Sequence, residues 1–398
     1  MVSVTEQYEA YPYPERDPVD EGTRLITGSP SEPLEIDHFL FGGQRDWSRP
    51  FRALVAGGGT GDGLIQLAQR LTTARVPFEI DYIDLSTASR RIAEARADAR
   101  GLSAIRFHTG SLLDAADLGR FDYIDCCGVL HHLPDPAEGF RALRAALAPG
   151  GGMGAMVYAP YGRSGVYPLQ DAFRALFDGL SPEERVANVR AILARLPEGH
   201  PFRRNLALTD HTGADAELYD LLLHGQDRAF SVPELLSVMS ETGWALQSFV
   251  MPGLYDPSRF ADIPDTLDGP ARMALAERLS GVIKAHTFYA VADDAPRAVA
   301  GHGLLKLVPH LRLGDRAKVA AAVAASKPIR VGAGGDGQSL TLPKQAAPMM
   351  ALADGRATLM QLGKAAKYSP RDTTRIWQRL EQTLGAWGGL LYSTLKLD

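Results

Sequence analysis

Three glycines, Gly57, Gly59 and Gly61, stand two residues apart directly after the apolar segment ALVA at positions 53–56. Because glycine has no Cβ, such a segment can turn sharply at the end of a strand and let a ligand lie against its backbone. The dinucleotide pattern GxGxxG fits in no frame, and no GK[ST] follows for a phosphate-binding loop. The spacing GxGxG therefore predicts a site for a nucleoside without a pyrophosphate.

A carboxylate stands at the end of the next apolar segment. FEIDYIDLS predicts a short second strand that ends at Asp84, 23 residues after Gly61. The two vicinal hydroxyls of a ribose are donors, and an ionised carboxylate has acceptors to match them. We therefore expect Asp84 to bind the ribose of the nucleoside.

Five segments between residues 53 and 158 carry motifs in a fixed order. They read VAGGGTG, YIDLS, GSLLD, FDYIDCCGVLHHLPDP and LRAALAPGGGMGAMVY. In this order they resemble the motifs of the class I S-adenosylmethionine-dependent methyltransferases. The match extends over about 110 residues, and an ordered set of this kind is far more specific than a single glycine loop.

The resemblance implies S-adenosylmethionine as cofactor and assigns its contacts residue by residue. The implied core contacts are Gly57, Gly59, Gly61, Asp84, Leu85, Ser111, Leu112, Cys127 and Gly128. Two positions depart from the family's pattern. Val55 replaces an acid that usually stands two residues before the first glycine, and Ser111 replaces an Asp that commonly caps the adenine amino group. A hydroxyl accepts more weakly than a carboxylate, so these changes affect cofactor affinity and leave the fold unchanged.

Two adjacent histidines, His131 and His132, follow the fourth motif at the expected mouth of the site. Either imidazole could accept a proton from a hydroxyl or amine acceptor near neutral pH. A base is optional, because the methyl donor is already activated and in-line positioning can supply much of the rate. The alternative is that one histidine caps the next turn and the other packs behind the loop. Their adjacency has no metal-chelating spacing, so we predict no metal site.

Residues 1–50 are predicted to form an arm outside the sheet. The segment QYEAYPYPERDP contains three tyrosines and three prolines, which favours an extended path over a helix. Its YExxPYP pattern resembles an arm that folds over the cofactor in some methyltransferases, which makes Tyr8, Tyr11 and Tyr13 candidates for a lid. Of these, Tyr8 and Tyr13 are expected to contact the cofactor. The alternative is a surface strap whose tyrosines pack on the core.

Apolar periodicity predicts an α/β fold with a doubly wound, Rossmann-like sheet of seven strands. The pattern places strands near 52–56, 79–84, 104–108, 121–126 and 152–158, with helices at 61–71, 87–99 and 137–147. Apolar runs that begin at 244 and 286 would add a sixth and a seventh strand, and the resemblance implies that these two form an antiparallel pair. The segment 165–240 reads as a helical insertion on the acceptor side. We divide the chain into an arm at 1–50, a methyltransferase domain at 51–297 and a small winged-helix-like α+β module at 298–398.

Polar residues on the acceptor side have two interpretations. They fall after the fifth strand and near the end of the insertion: Tyr158, Tyr161, Arg163, Tyr167, His224, Asp227 and Arg228. An arginine beside aromatic rings could hold an acceptor carboxylate. Loop packing, a helix cap and a surface ion pair explain the same residues at least as well.

Charge and composition limit the classes of partner. Residues 301–398 contain 14 Lys and Arg against 6 Asp and Glu, whereas the whole chain has a net charge of −5. Such a basic region fits docking on its own acidic chain or on a second subunit best, then a protein substrate, and RNA least. No apolar run approaches the about 18 residues of a membrane span and no secretory pattern is present, so we expect a cytoplasmic protein. The only cysteines, Cys126 and Cys127, are adjacent, which argues against a structural disulfide.

The sequence thus predicts methyl transfer to an acceptor that it does not name, a small molecule or a protein side chain, and a homo-oligomer remains open. The alternative is a protein that binds S-adenosylmethionine and has become a regulatory or partner-binding protein without catalysis, motivated by Val55, Ser111 and the added module. A nicotinamide oxidoreductase is disfavoured by the glycine spacing.

Overall fold

The computed structural model describes residues 4–332 and 337–396, and its centre is a seven-stranded sheet. The strands are β1 (Phe51–Ala56), β2 (Phe78–Asp84), β3 (Ile105–Thr109), β4 (Phe121–Cys127), β5 (Leu147–Tyr158), β6 (Trp244–Phe249) and β7 (Ala285–Ala292). Their spatial order is β3-β2-β1-β4-β5-β7-β6. The first five strands are parallel, whereas β7 runs antiparallel to both β5 and β6. The predicted α/β fold and its antiparallel last pair are confirmed.

Helices connect the strands and cover both faces of the sheet. Those before and within the parallel part are α1 (Val4–Ala10), α2 (Pro33–Leu40), α3 (Asp62–Thr73), α4 (Thr87–Ala99) and α5 (Pro136–Ala145). Helix α3 forms where Leu64, Leu67 and Leu71 recur at helical spacing, and all three are fully buried. The predicted bounds of the strands and helices in the parallel part mostly agree with the structure within about two residues, except that β5 begins five residues earlier than the sequence suggested.

The prediction of an extended arm is wrong for its first part. Residues Val4–Ala10 form helix α1, although the tyrosine- and proline-rich segment was expected to resist helix formation. The prolines begin only at Pro12, and a proline disfavours helical geometry in the residue before it. They therefore end the helix and do not prevent it.

Within the described residues, the insertion between β5 and β6 contains five α-helices. They are α6 (Val166–Leu176), α7 (Pro182–Leu193), α8 (Pro201–Arg204), α9 (Asp215–Leu222) and α10 (Val232–Glu241), and α11 (Gly269–Ser280) precedes β7. The insertion has an apolar core of its own, which includes Phe173, Val189 and Leu222. The segment is helical, as predicted, and it positions Asp220 and His224 beside the sheet.

The last hundred residues form short strands and helices around a third core. The elements are β8 (Val308–Leu311), α12 (Arg316–Ala324), β9 (Ile329–Val331), β10 (Gln338–Leu340), α13 (Ala347–Leu352), α14 (Leu359–Ala365), α15 (Pro370–Leu384) and β11 (Leu390–Ser393). Strands β8 and β11 pair antiparallel, as do β9 and β10. The buried core includes Trp377, Leu380 and Met350. The winged-helix arrangement stays a prediction.

Strand β11 attaches this C-terminal module to helix α2. The Ser393 hydroxyl donates to Asp37 Oδ2, and the Tyr392 amide donates to His38 Nδ1 over 3.0 Å. Among the described residues, no helix has both the length and the apolar composition that a membrane span requires.

Candidate active site

A cavity of about 480 Å³ opens at the carboxyl ends of β1, β2, β4 and β5. Ligands of parallel α/β sheets bind at this edge, and the volume lies in the range of small-molecule sites. Its walls contain all but one of the residues predicted to contact the cofactor: Gly57, Gly59, Asp84, Leu85, Ser111, Leu112, Cys127, Gly128, Tyr8 and Tyr13. The exception is Gly61, which stands at the start of α3 with φ +101°. The absence of a Cβ at Gly61 allows the backbone to turn into the helix.

The glycine loop is held in place by backbone hydrogen bonds. Gly57 and Gly59 adopt φ values of +70° and +51°, in the left-handed region that disfavours other residues. The Gly59 amide donates to Asp84 Oδ2 over 2.8 Å, and the Tyr82 hydroxyl donates to the Gly59 carbonyl over 2.5 Å. The loop and the carboxylate of β2 therefore form one rigid edge of the cavity.

Replacing Gly59 with alanine is expected to disturb both this edge and the arm. A Cβ at Gly59 would lie 2.5 Å from the Tyr13 carbonyl oxygen, and the left-handed backbone alone costs about 1–2 kcal/mol for a non-glycine residue. We expect a lower free energy of unfolding and weaker binding of S-adenosylhomocysteine, measured by denaturant unfolding and calorimetry. Gly101→Ala is the matched control, because Gly101 has φ +63° and open space around its Cβ position. Equal ligand affinities in the two variants would show that the contact with Tyr13 is unimportant.

Asp84 is half-buried and keeps acceptor capacity. Its Oδ1 accepts from the Ser86 amide and its Oδ2 from the Gly59 amide, each over 2.8 Å. A carboxylate oxygen has a second lone pair, so each oxygen can accept one more hydrogen bond from the cavity. Burial raises the pKa of Asp84. The position and the free lone pairs agree with the predicted binding of a ribose.

The acid that is missing at Val55 is present on the neighbouring strand. Asp125 of β4 is the register partner of Val55 in the parallel ladder, and it lines the cavity. The Ser31 hydroxyl donates to Asp125 Oδ2 over 2.5 Å, and burial raises the pKa of Asp125 to about 6. Partners in a parallel ladder present their side chains on the same face. The sequence reasoning missed Asp125, although its place two residues before Cys127 in the fourth motif could have revealed it.

Asp125 should give folding stability a pH dependence. Its pKa rises from 3.8 to about 6 on folding, so the folded state binds more protons than the unfolded chain between these values. The free energy of unfolding therefore falls as pH rises from 4 to 6, by up to about 3 kcal/mol. Asp125→Asn should remove this part of the slope. Urea unfolding should therefore show that the free energy of unfolding of the variant, relative to that of the wild type, is higher at pH 7 than at pH 4. The exposed Asp98→Asn is the control, and parallel pH curves for all three proteins would contradict the prediction.

The arm closes over the cavity and is tied down on both sides. The Tyr8 hydroxyl donates to Asp220 Oδ1 over 3.1 Å, and the Tyr8 carbonyl accepts from Ser86 Oγ over 3.1 Å. Thr60 Oγ1 donates to the Pro14 carbonyl over 2.6 Å. Tyr11 lies outside the cavity, where its ring stacks on Tyr219 with centroids 5.2 Å apart. Tyr8 and Tyr13 thus line the cavity and Tyr11 anchors the arm on the insertion, and the role of the arm as a lid stays a prediction.

A polar wall lies beyond the glycine loop, where the insertion meets the end of β5. Asp220 accepts from Tyr8 at Oδ1 and from Tyr158 at Oδ2, the latter over 2.9 Å. His132 also lines the cavity, and its Nδ1 lies 2.7 Å from the Gln226 carbonyl. A carbonyl only accepts, so Nδ1 donates to it, and in the neutral ring Nε2 has the lone pair. Sequence reasoning found His132 and missed Asp220 and Gln226.

His131 occupies a different environment from His132. It is buried, it does not line the cavity, and its ring lies 4.0 Å from the Tyr158 ring between centroids. Burial lowers the pKa of His131 well below its usual value, as it does for His224. Both rings are therefore neutral at pH 7, and among the two candidate bases the geometry supports His132.

Ligand atoms of His132, Asp220 and His224 lie within 4.8 Å of one another, a convergence that the adjacency argument from the sequence did not foresee. The His132 and His224 rings are nearly parallel at 21°, with centroids 3.7 Å apart. The lone pairs of imidazole lie in the ring plane, so two stacked rings do not direct them at one point. The Gln226 amide also donates to His224 Nδ1 over 3.1 Å. We describe the group as a hydrogen-bonded network, and the expectation that the site holds no metal stays a prediction.

Arg163 and its neighbours form a structural support behind the wall. The Arg163 guanidinium pairs with buried Asp227 over 3.2 Å and lies 3.6 Å over the Tyr158 ring. Its Nε donates to the Tyr167 hydroxyl over 3.1 Å. Arg163, Tyr167 and Asp227 lie outside the cavity, as do Tyr161 and Arg228. The packing interpretation of these residues is therefore favoured, and Arg163 positions Tyr158.

Comparisons with known proteins concern the domain that contains this cavity. Residues 54–153 match the family model described as a methyltransferase domain. An uncharacterized protein of Synechococcus sp. is 33% identical over 273 residues, which are 67% of this chain and 64% of that protein. The ubiquinone biosynthesis O-methyltransferase of Ralstonia nicotianae is 32% identical over 95 residues, 23% of this chain and 38% of that enzyme. The chain thus spans less than two thirds of the length of these curated relatives.

A solved structure resembles nearly the whole chain. PKMT2 from Rickettsia typhi, in complex with AdoHcy, is 15% identical with a TM-score of 0.65, and the match covers 94% of this chain and 76% of that one. At this identity the likeness concerns the fold. The fold, the motifs and the family model define a class of protein that binds S-adenosylmethionine. More narrowly, this chain contains a class I S-adenosylmethionine-dependent methyltransferase domain.

Proposed function

We propose that the protein transfers a methyl group from S-adenosylmethionine to an oxygen or nitrogen of an acceptor that binds beside His132. One observation carries the proposal: a single cavity contains both the predicted cofactor contacts and the polar wall of His132, Asp220 and Tyr158. The sulfonium cofactor supplies an activated methyl group, so the protein must chiefly position the acceptor and exclude water.

The residues of the cavity suit this cofactor. Asp84 offers acceptors to a ribose, and the backbone of Gly57 and Gly59 allows close approach. Buried Asp125 offers a carboxylate to a cationic group, and pairing there would lower the raised pKa that it has in the unliganded site. Ser111 Oγ already accepts from the Leu113 amide over 3.1 Å and still has acceptor capacity.

His132 is the base that we propose for this reaction. Because Nδ1 is committed to the Gln226 carbonyl, Nε2 is the nitrogen left to accept a proton from an acceptor bound in the cavity that His132 lines. A proton taken by His132 would be stabilised by the nearby carboxylate of Asp220, whose pKa is raised mainly by burial and lowered in part by His132. Tyr8 and Tyr158 hold that carboxylate in place.

The walls of the cavity favour a small acceptor or a single narrow side chain. They are formed by the arm, the sheet edge and the insertion, and no residue of the described part beyond Gln226 contributes to them. The basic C-terminal module therefore does not line the acceptor site. This supports a small molecule or one protruding protein side chain over a polymer that lies along a basic groove, and it disfavours nucleic acid.

The alternative, a protein that binds the cofactor without catalysis, is less well supported. Its motivation was the loss of an acid at Val55, and Asp125 supplies a carboxylate on the same sheet face. The polar wall also has the base and the free lone pair that a purely regulatory site does not need.

Calorimetry followed by a transfer assay tests the proposal. The purified protein is titrated with S-adenosylmethionine, S-adenosylhomocysteine and NAD, and we expect binding of the two sulfur ligands alone. A labelled methyl donor is then offered with a panel of phenols, amines and carboxylates, and separately with whole protein extract. Cofactor binding without transfer to any acceptor of either kind would favour the regulatory alternative. No binding of either sulfur ligand would overturn both.

A further inference from the structure

A second cavity, of about 310 Å³, lies between the C-terminal module and the start of helix α2. Its walls are mostly apolar and come from both parts of the chain: Leu34, Leu311, Leu313, Val319, Met350 and Ala353. It shares no residue with the methyltransferase cavity. The function proposed above therefore leaves it unexplained.

The polar groups of this second cavity are predominantly cationic. Arg312 and Arg316 both line it. The one carboxylate in its wall, Asp354, accepts from the Arg356 and Ala357 amides over 2.9 and 3.0 Å, both at Oδ1, and it also interacts with the charge of Arg316. Two arginines thus face one carboxylate in the wall.

A buried imidazole completes the polar lining. The His310 side chain belongs to a residue that is only 9% exposed, and its Nδ1 edge faces Gly355 in the cavity wall, where a Cβ would lie 3.3 Å from that nitrogen. Burial lowers the pKa of His310 to about 4, so the ring is neutral at pH 7 and can accept or donate one hydrogen bond.

We propose that this cavity binds a small organic anion, an aromatic or short aliphatic carboxylate, whose apolar body fills the pocket and whose carboxylate pairs with Arg312 and Arg316. Apolar walls with a few convergent polar groups are typical of small-molecule sites. The arginine guanidinium presents a planar pair of donors that matches a carboxylate, which favours this ligand class over a cation or a neutral polyol.

One carboxylate connects the two cavities. Glu35 is fully buried on α2 and pairs with the Arg312 guanidinium. The Ser29 hydroxyl, in the wall of the cofactor cavity, donates to Glu35 Oε1 over 2.8 Å. An anion that competes for Arg312 would weaken its pairing with Glu35 and thereby shift the loop that carries Ser29. Binding in one cavity should therefore change affinity in the other, by the same factor in both directions.

The test uses the full-length protein with benzoate and hexanoate as probes and benzamide as the uncharged control. We expect saturable binding of at least one carboxylate in ligand-observed NMR, at least tenfold weaker binding of benzamide, and at least tenfold weaker carboxylate binding in Arg316→Ala. Arg316 is the residue to replace, because removing Arg312 would leave Glu35 buried without its cation. The exposed Arg371→Ala, on α15, should bind like the wild type.

Two outcomes would overturn the site: neither carboxylate binds, or Arg316→Ala binds it as well as Arg371→Ala does. The coupling is measured separately, as the affinity for S-adenosylhomocysteine with and without saturating carboxylate. We expect the carboxylate to change this affinity severalfold in the wild type and to leave it unchanged in Arg316→Ala. An unchanged affinity would overturn the coupling through Glu35. Because carboxylate binding is measured without the cofactor, a failure of the proposed methyl transfer would leave this test intact.

Discussion

Asp84→Ala is expected to weaken binding of S-adenosylmethionine and S-adenosylhomocysteine by about 100-fold or more. Each hydrogen bond to a charged group contributes about 1.5–3 kcal/mol, and two ribose hydroxyls would lose their acceptors. The substitution also removes the acceptor of the Gly59 amide, so the glycine loop loses its tie to β2. Calorimetric titration with S-adenosylhomocysteine measures the loss.

Two further variants separate the ribose contact from loop disorder. Asp84→Asn keeps an acceptor for the Gly59 amide and loses the charge, so its affinity should fall between those of wild type and Asp84→Ala. Ser111→Ala should have a much smaller effect, because its hydroxyl is partly committed to the Leu113 amide. An affinity for Asp84→Ala equal to that of the wild type would reject the ribose assignment.

The second large effect is expected at His132. His132→Asn should lower kcat by about 10²–10⁴, the usual contribution of a general base, with little change in cofactor affinity. Asparagine can still donate to the Gln226 carbonyl and so preserves the contact that orients the histidine. The measurement uses the acceptor that the labelled-methyl screen identifies.

His131→Asn is the matched control for this prediction. His131 is adjacent in sequence, buried and outside the cavity, so its replacement should change kcat far less than that of His132. Equal losses in the two variants would mean that the pair acts through packing against Tyr158. An unchanged kcat in His132→Asn would assign the base to another group.

The parts of the site that depend on local sequence were predictable. The glycine loop and Asp84 lie at the ends of strands whose apolar pattern is visible in the chain, and strand ends of a parallel sheet meet at one edge. The same local pattern predicted the seven strands. Ser111, Cys127 and Gly128 also line the cavity as the resemblance implied, because each lies at or within two residues of the carboxyl end of one of these strands.

The parts that depend on distant contacts were not predictable. Tyr8 and Asp220 are 212 positions apart and meet only because the arm and the insertion pack on the same edge of the sheet. The local sequence LHH does not distinguish His132 from His131. The two histidines differ in which ring the insertion covers, and this depends on tertiary packing. Helix α1 was missed because the prolines of the arm were expected to prevent a helix throughout the segment. A proline disfavours helical geometry chiefly in the residue immediately before it, so the residues farther upstream can form α1.

The pairing of β11 with helix α2 has a consequence for shortening the chain. A fragment that ends near residue 297 would retain Asp37 and Glu35, both fully buried carboxylates, and lose Ser393 and Arg312 that bind them. It would also expose the face of α2 that Leu391 and Leu395 cover. The part of the chain before residue 298 therefore should not fold well on its own, because the C-terminal hundred residues, besides forming their own core, complete the burial of helix α2.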